Sequence, residues 1–156
     1  MNALLRGVVS TLCALAWLVW PVPASADVHS DYLTQDGIAL YYAIIPAGMI
    51  TGHPRGHPEA EMHGGVRQGK HAHHLMVAVF NAETSERISD VETVATVSEV
   101  GFPGETKVLE PMEIAGAMTY GAYFEVPAAT VYKVAVTVKS PRWRSARIFK
   151  FEFRHQ

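Results

Sequence analysis

The chain has 156 residues, of which 49% are hydrophobic, and a formal net charge of −2 at pH 7. This length suits one domain with a hydrophobic core, and the slightly acidic charge argues against a nucleic-acid-binding surface, which would be basic. The single cysteine, Cys13, excludes a disulfide framework within the chain and a zinc site built from several thiolates.

Residues 1–26 have the pattern of a secretory signal peptide. One basic residue, Arg6, precedes an apolar run, and the segment closes with the letters ASA, which match a cleavage site. The apolar run is shorter than the ~20 residues that a membrane-spanning helix needs. We therefore expect cleavage after Ala26, export to the periplasm, and a single domain over residues 27–156 that contains no cysteine.

Short β-branched and aromatic segments separated by turn residues follow. The polar residues 27–36 are expected to form a loosely held N-terminus. Beyond them, alternation of apolar and polar residues predicts strands, for example one with Leu75, Val77 and Val79 on its inner face. The predicted strands cover residues 38–45, 75–81, 91–100, 106–112, 118–126, 130–138 and 146–154.

About seven regularly spaced short strands, with no long amphipathic helix between them, are typical of an antiparallel β-sandwich. An open barrel is the alternative architecture. In the last segment, residues 146–154, Arg147 is in phase with Phe149, Phe151 and Phe153, whereas Lys150 faces the opposite way. Because its basic residues lie on different faces, this segment is expected to be a solvated edge strand. The sequence thus predicts one all-β domain.

The stretch HPRGHPEAEMHGGVRQGKHAHH, residues 53–74, contains six of the eight histidines. Neutral imidazole is the commonest metal ligand in proteins, and an extended chain would place His57 with Glu59, and His71 with His73, on common faces. Without cysteine, the available donors are imidazole, carboxylate and thioether. Imidazole alone suits zinc, copper, nickel or iron, whereas added thioether favours Cu(I) and added carboxylate favours Cu(II) or iron. A solvated polar loop and a metal-free pH sensor are the rival interpretations.

Two blocks of the sequence resemble a known family. HPEAEMHG (57–64) is similar to the H-x-E-A-[DE]-x-H-[AG] stretch of the periplasmic, Ig-like metal-binding proteins associated with high-affinity iron uptake. The later block, 110–141, is similar to that family's P-M, Y-G-A and Y-K steps and ends, as there, at a proline. YtkA-like periplasmic domains share this second block. The resemblance implies an Ig-like β-sandwich.

The resemblance also implies a copper site. His57 and Glu59 match the histidine and glutamate of the family's H-x-E element, which are metal ligands. Met112 matches the methionine of the P-M step, and His63 matches the second histidine of the first block.

One position departs from the family's pattern. Thr119 stands where the family has a histidine before Tyr-Gly, and the extra histidines His71, His73 and His74 are the candidates to replace it. The metal ligands that we predict are therefore His57, Glu59, His63, His73 and Met112.

Together these observations predict an exported, non-enzymatic protein that binds a metal ion, with copper preferred over iron or zinc. It would buffer the ion or deliver it to a membrane permease or another periplasmic metal carrier. The alternative is a β-sandwich protein–protein interaction module whose His-rich segment is only a polar linker. A small metalloenzyme is a third hypothesis, for which no motif identifies the general base. The sequence leaves open whether the protein is a homodimer.

Overall fold

The computed structural model describes residues 29–50 and 69–155, which form eight strands and one short helix. Within these ranges, no helix is long and apolar enough to cross a lipid bilayer. In chain order the elements are β1 (His29–Gln35), β2 (Ile38–Pro46), α1 (Ala47–Ile50), β3 (Ala72–Asn81), β4 (Glu92–Glu99), β5 (Glu105–Ile114), β6 (Ala117–Glu125), β7 (Val131–Lys139) and β8 (Arg147–Arg154).

All neighbouring strands are antiparallel, in the order β1-β2-β3-β6-β5-β4-β7-β8. Strand β5 is shared between two sheets, because Glu105–Leu109 pairs with β4 whereas Glu110–Ile114 pairs with β6. We call β1, β2, β3, β6 and the second half of β5 the first sheet, and the remainder the second sheet. The ends of the series, β1 and β8, also approach each other. The predicted antiparallel all-β fold is therefore confirmed, with a barrel-like closure of the sandwich.

The prediction of a loosely held N-terminus is wrong for residues 29–35, which form β1. This strand pairs with β2 along its full length, from His29 opposite Ile44 to Gln35 opposite Ile38. The connecting residues Asp36 and Gly37 have φ angles of 49° and 74°, as the two-residue turn favoured in hairpins requires. The side chains of residues 31–35 are mostly exposed, which accounts for the polar sequence of β1.

The hydrophobic core lies between the inner faces of the two sheets. Alternate residues of each central strand point into it, so the predicted inward positions Leu75, Val77 and Val79 of β3 are confirmed. Strand β8 occupies the edge of the second sheet, as predicted, and its Phe149 and Phe153 are almost completely buried. The core includes Leu40, Tyr42, Leu75, Val77, Val79, Leu109, Tyr120, Phe124, Tyr132, Val134, Val136, Val138, Phe149 and Phe153.

A second, smaller cluster lies on the opposite side of the first sheet, which we call the outer face. There α1 packs against Ala72 and Tyr123, with Ile50 at its margin. The chain returns to the same place after the segment 51–68, since the carbonyl of Gly69 accepts a hydrogen bond from the Ala72 backbone N–H at 3.3 Å. Both ends of that segment are therefore fixed beside Ala72.

Candidate metal centre

The structure describes two of the predicted metal ligands. His57, Glu59 and His63 belong to the segment 51–68 and lie outside the described residues. His73 and Met112 are both buried within the described part of the domain, with exposed fractions of 3% and 4%. Strand geometry decides whether these two side chains can meet.

Successive residues of a strand point to opposite faces of the sheet. In β3, Leu75 and Val77 are members of the core, so His73 shares the inner face with them and His74 points to the outer face. Met112 lies directly opposite Thr119 in the ladder between β5 and β6. Since Thr119 alternates with the core residue Tyr120, Met112 also lies on the outer face. The structure thus brings His74, and not His73, to the side of Met112.

His74 and Met112 converge on Gly121 in the strand between them. In the ladders, His74 is opposite Tyr123 and Met112 is opposite Thr119, so both are diagonal neighbours of Gly121. A Cβ atom placed on Gly121 would contact the Met112 methyl carbon and would lie 2.7 Å from Nε2 of His74. An imidazole nitrogen and a thioether end therefore share the space that a side chain at position 121 would fill.

The side chains of His74 and Met112 are both buried although they lie on the outer face. His74 is 5% exposed, and its ring stacks on Tyr123 with the centroids 4.4 Å apart and an interplanar angle of 23°. Burial raises the pKa of the Tyr123 phenol, so this ring is neutral at physiological pH. The stack fixes the plane of the imidazole and directs Nε2 towards Gly121.

The β5–β6 hairpin sets the position of Met112. Its two-residue turn, Ala115-Gly116, has φ angles of 51° and 76° and fixes the register that pairs Met112 with Thr119. The Thr119 hydroxyl donates a hydrogen bond to the backbone carbonyl of Met112 at 3.2 Å. At the position where the family pattern has histidine, this chain therefore has a hydroxyl that is engaged with the neighbouring strand.

An imidazole beside a thioether is a donor pair that suits copper. Thioether sulfur is a soft ligand that favours Cu(I), and imidazole accepts copper in either oxidation state. Within residues 29–50 and 69–155, no group of three or more His, Cys, Asp or Glu side chains is placed to hold a metal ion. His74 and Met112 could supply one nitrogen and one sulfur ligand, and His74 lies two residues after Ala72, beside which both ends of the segment 51–68 are fixed.

His73 lies in a different environment on the inner face. Its Nδ1 is 3.1 Å from the carbonyl oxygen of His71, to which it can donate a hydrogen bond, and its ring meets that of His155 edge-on, with the centroids 4.8 Å apart. Burial is the main cause that lowers the pKa of His73, and the nearby His155 and His71 lower it further. The hydrogen bond to the His71 carbonyl and the charge of Glu125 act in the opposite direction.

We expect His73 to make the metal-free protein less stable in acid. Because its pKa is lowered in the fold, the unfolded chain binds more protons below about pH 6.5, so this contribution to stability is complete above that pH and falls as the pH decreases. Urea unfolding is measured at about pH 7.5 and about pH 5.5 with a chelator present. Between these pH values, the free energy of unfolding should fall less in His73→Gln than in wild type. Equal losses in the two proteins would assign the acid sensitivity to other groups.

A groove of about 460 Å³ adjoins the site on the outer face, with Met76 and Thr119 among its lining residues. Its far side carries Tyr32 and Tyr41, which are 55% and 47% exposed and stack with their ring centroids 5.2 Å apart. Phe80 extends this row by packing edge-on against Tyr41. The surface beside the candidate site is therefore aromatic and open to solvent.

Comparison with known proteins shows a shared fold at low sequence identity. No family model and no curated protein sequence matches the chain. FetP from uropathogenic Escherichia coli strain F11 is 17% identical with a TM-score of 0.62, over 83% of this chain and 96% of FetP. A DUF4426 family protein from Pseudomonas aeruginosa is 12% identical with a TM-score of 0.62, over 80% of this chain and 93% of that one.

Copper-bound structures occur among these neighbours. The copper-reconstituted P19 protein from Campylobacter jejuni is 10% identical with a TM-score of 0.61, over 83% of this chain and 96% of P19. A variant of FetP has also been solved with copper bound. The chain thus has the β-fold of FetP and P19, two proteins whose structures have been determined with copper.

Proposed function

We propose that this chain is an exported, non-enzymatic copper-binding protein that buffers the ion or delivers it to a membrane permease or another periplasmic metal carrier. The observation that carries the proposal is the meeting of the Met112 thioether and the His74 imidazole over Gly121, both buried. The shared fold with FetP and P19 supports it, as does the similarity of residues 57–64 to the H-x-E stretch of the iron-uptake family.

The donor chemistry favours copper over iron and zinc as the cargo. Zinc and iron are commonly held by imidazole and carboxylate, whereas a buried thioether contributes most to binding when the metal is soft. His57 and Glu59 from the neighbouring segment would add nitrogen and oxygen donors, which also serve Cu(II). A site of this composition would hold copper in both oxidation states, as a buffer requires.

The role is proposed as non-enzymatic because coordination alone is enough to store and transfer an ion. Metal catalysis needs in addition an open coordination position and a positioned general base. Nothing in the arrangement of His74, Met112 and Tyr123 calls for such a step.

Removal of the thioether tests the proposal. Loss of an outer-shell partner of a metal ligand usually lowers affinity 10–100-fold, so we expect Met112→Ala, which removes a direct ligand, to lower Cu(I) affinity by about 100-fold or more. The measurement is Cu(I) competition with a chromophoric chelator on residues 27–156 without a tag, together with elemental analysis for copper, zinc and iron.

Met118→Ala provides the matched control. Met118 is a half-buried methionine of β6 that packs against the core between the sheets, away from the outer face, so its loss should leave Cu(I) affinity unchanged. If wild type and Met112→Ala bound every metal equally weakly, the copper-binding proposal would be wrong.

That outcome would favour the rival function, a protein–protein interaction module. The exposed aromatic row of Tyr32, Tyr41 and Phe80 is the feature that supports the rival. An interaction module would keep its partner when the histidines of residues 53–74 are substituted, whereas a copper carrier would lose its cargo.

A further inference from the structure

We infer that His74 supplies the imidazole ligand of the copper site, so that the ion is held from β3 and β5 across the intervening strand β6. This inference rests on the proposed function and adds to it a ligand that the sequence patterns do not identify. It also gives Gly121 a defined role, as the position whose missing side chain makes room for the metal.

The first argument is the direction of the His74 ring. Nε2 is the ring nitrogen farther from the backbone, and this atom and the Met112 methyl carbon both lie beside Gly121. Stacking on Tyr123 holds the ring plane. A ligand that is already positioned before the metal arrives loses little conformational freedom on binding, which favours tight coordination.

The second argument is the alternative at position 119. Thr119 lies directly opposite Met112 on the same face, and side chains in such pairs have Cβ atoms about 4.5–5.5 Å apart. An imidazole at this position would reach the space over Gly121. The threonine hydroxyl instead donates to the Met112 carbonyl at 3.2 Å, and a neutral hydroxyl is a poor ligand for soft copper.

The third argument is the exclusion of His73. It lies on the inner face, its Nδ1 is within hydrogen-bonding distance of the His71 carbonyl, and its ring packs against His155 and Phe153. Metal binding together with Met112 would require β3 to shift by one residue, which would expose Leu75 and Val77. Of the two histidines in β3, His74 alone can join Met112.

The test combines removal of the imidazole on β3 with its replacement by an imidazole on β6, at position 119. We expect His74→Gln to weaken Cu(I) binding by about 100-fold, as expected for a direct ligand, and to remove one nitrogen from the electron paramagnetic resonance spectrum of the Cu(II) form. Adding Thr119→His to that variant should restore the affinity to within about 10-fold of wild type and return the lost nitrogen signal. His73→Gln is the matched control and should leave the spectrum unchanged.

The outcomes separate this inference from the proposed function. Circular dichroism confirms that each variant is folded before it is titrated. Tight, Met112-dependent copper binding that is equal in wild type and His74→Gln would overturn the assignment of His74 and leave the copper-binding function in place. Failure of wild type itself to bind copper tightly would overturn the function and the assignment together.

Discussion

We expect Gly121→Ala to fold and to bind Cu(I) about 10- to 100-fold more weakly than wild type, although it removes no ligand. The added methyl group would occupy the space shared by the Met112 methyl and His74 Nε2, and it would lie 3.0 Å from the Leu75 carbonyl oxygen. The flexible methionine can move aside at little cost, whereas the stacked imidazole and the Leu75 carbonyl give way less easily, so the variant should fold with some loss of stability. The two donors would no longer approach one metal ion.

Gly104→Ala is a matched control for steric crowding. A Cβ atom at Gly104 would lie 2.7 Å from Cγ2 of Thr96 and 3.1 Å from Cβ of Ser98, in the second sheet. This variant should lose stability without losing copper affinity. Comparison of Cu(I) competition with urea unfolding for both variants separates the two effects. Unchanged affinity in Gly121→Ala would mean that copper is not held over Gly121.

Phe153→Ala should lower the free energy of unfolding by about 3–5 kcal/mol, the usual cost of removing a buried phenylalanine from a core. Phe153 is 1% exposed and belongs to the core cluster although it lies on the edge strand β8. Its ring packs near those of Tyr132 and His73. Its loss would leave a cavity that these rings cannot fill without leaving their own contacts.

Phe102→Ala controls for residue type. Phe102 lies in the β4–β5 connection and is 64% exposed, so its removal should change stability by less than about 0.5 kcal/mol. Both free energies of unfolding are obtained from urea unfolding curves, fitted with the same dependence on urea concentration for all variants. A loss below about 1 kcal/mol for Phe153→Ala would mean that the edge strand contributes little to the cooperative core.

The sequence predicted the strands well where one face is buried and the other is solvated. In β7, Tyr132, Val134, Val136 and Val138 alternate with polar or small residues, and this pattern needs no tertiary information. Strand β1 was missed for the opposite reason. Its sequence, HSDYLTQ, is mostly polar, and only the pairing with β2 through the Asp36-Gly37 turn makes it a strand.

Only part of the candidate site could be predicted from the sequence. Met112 was identified through the family resemblance, whereas the predicted histidine, His73, lies on the other face of β3. The signal that distinguishes it from His74 was present, because His73 is in phase with Leu75, which was predicted to point inwards. The assignment of His57, Glu59, His63, His73 and Met112 as metal ligands remains a prediction.

The role of Gly121 could not have been predicted from one sequence. It depends on two registers at once, that of β3 with β6 and that of β6 with β5. The β3–β6 pairing joins residues far apart in the chain, and a shift of one residue in either register would move the side chains to the opposite face. Only the folded structure shows that Gly121 lies between His74 and Met112.

The cluster around α1 has a consequence for metal capture. Ile50 and Gly69, which bound the segment 51–68, are both fixed beside Ala72, two residues before His74 in β3. If the segment carries metal ligands, as proposed, its attachment at both ends would raise their effective concentration at His74 above that of the same groups free in solution. Under the proposed function, a ligand such as His57 would then add to the affinity without being a strong ligand by itself.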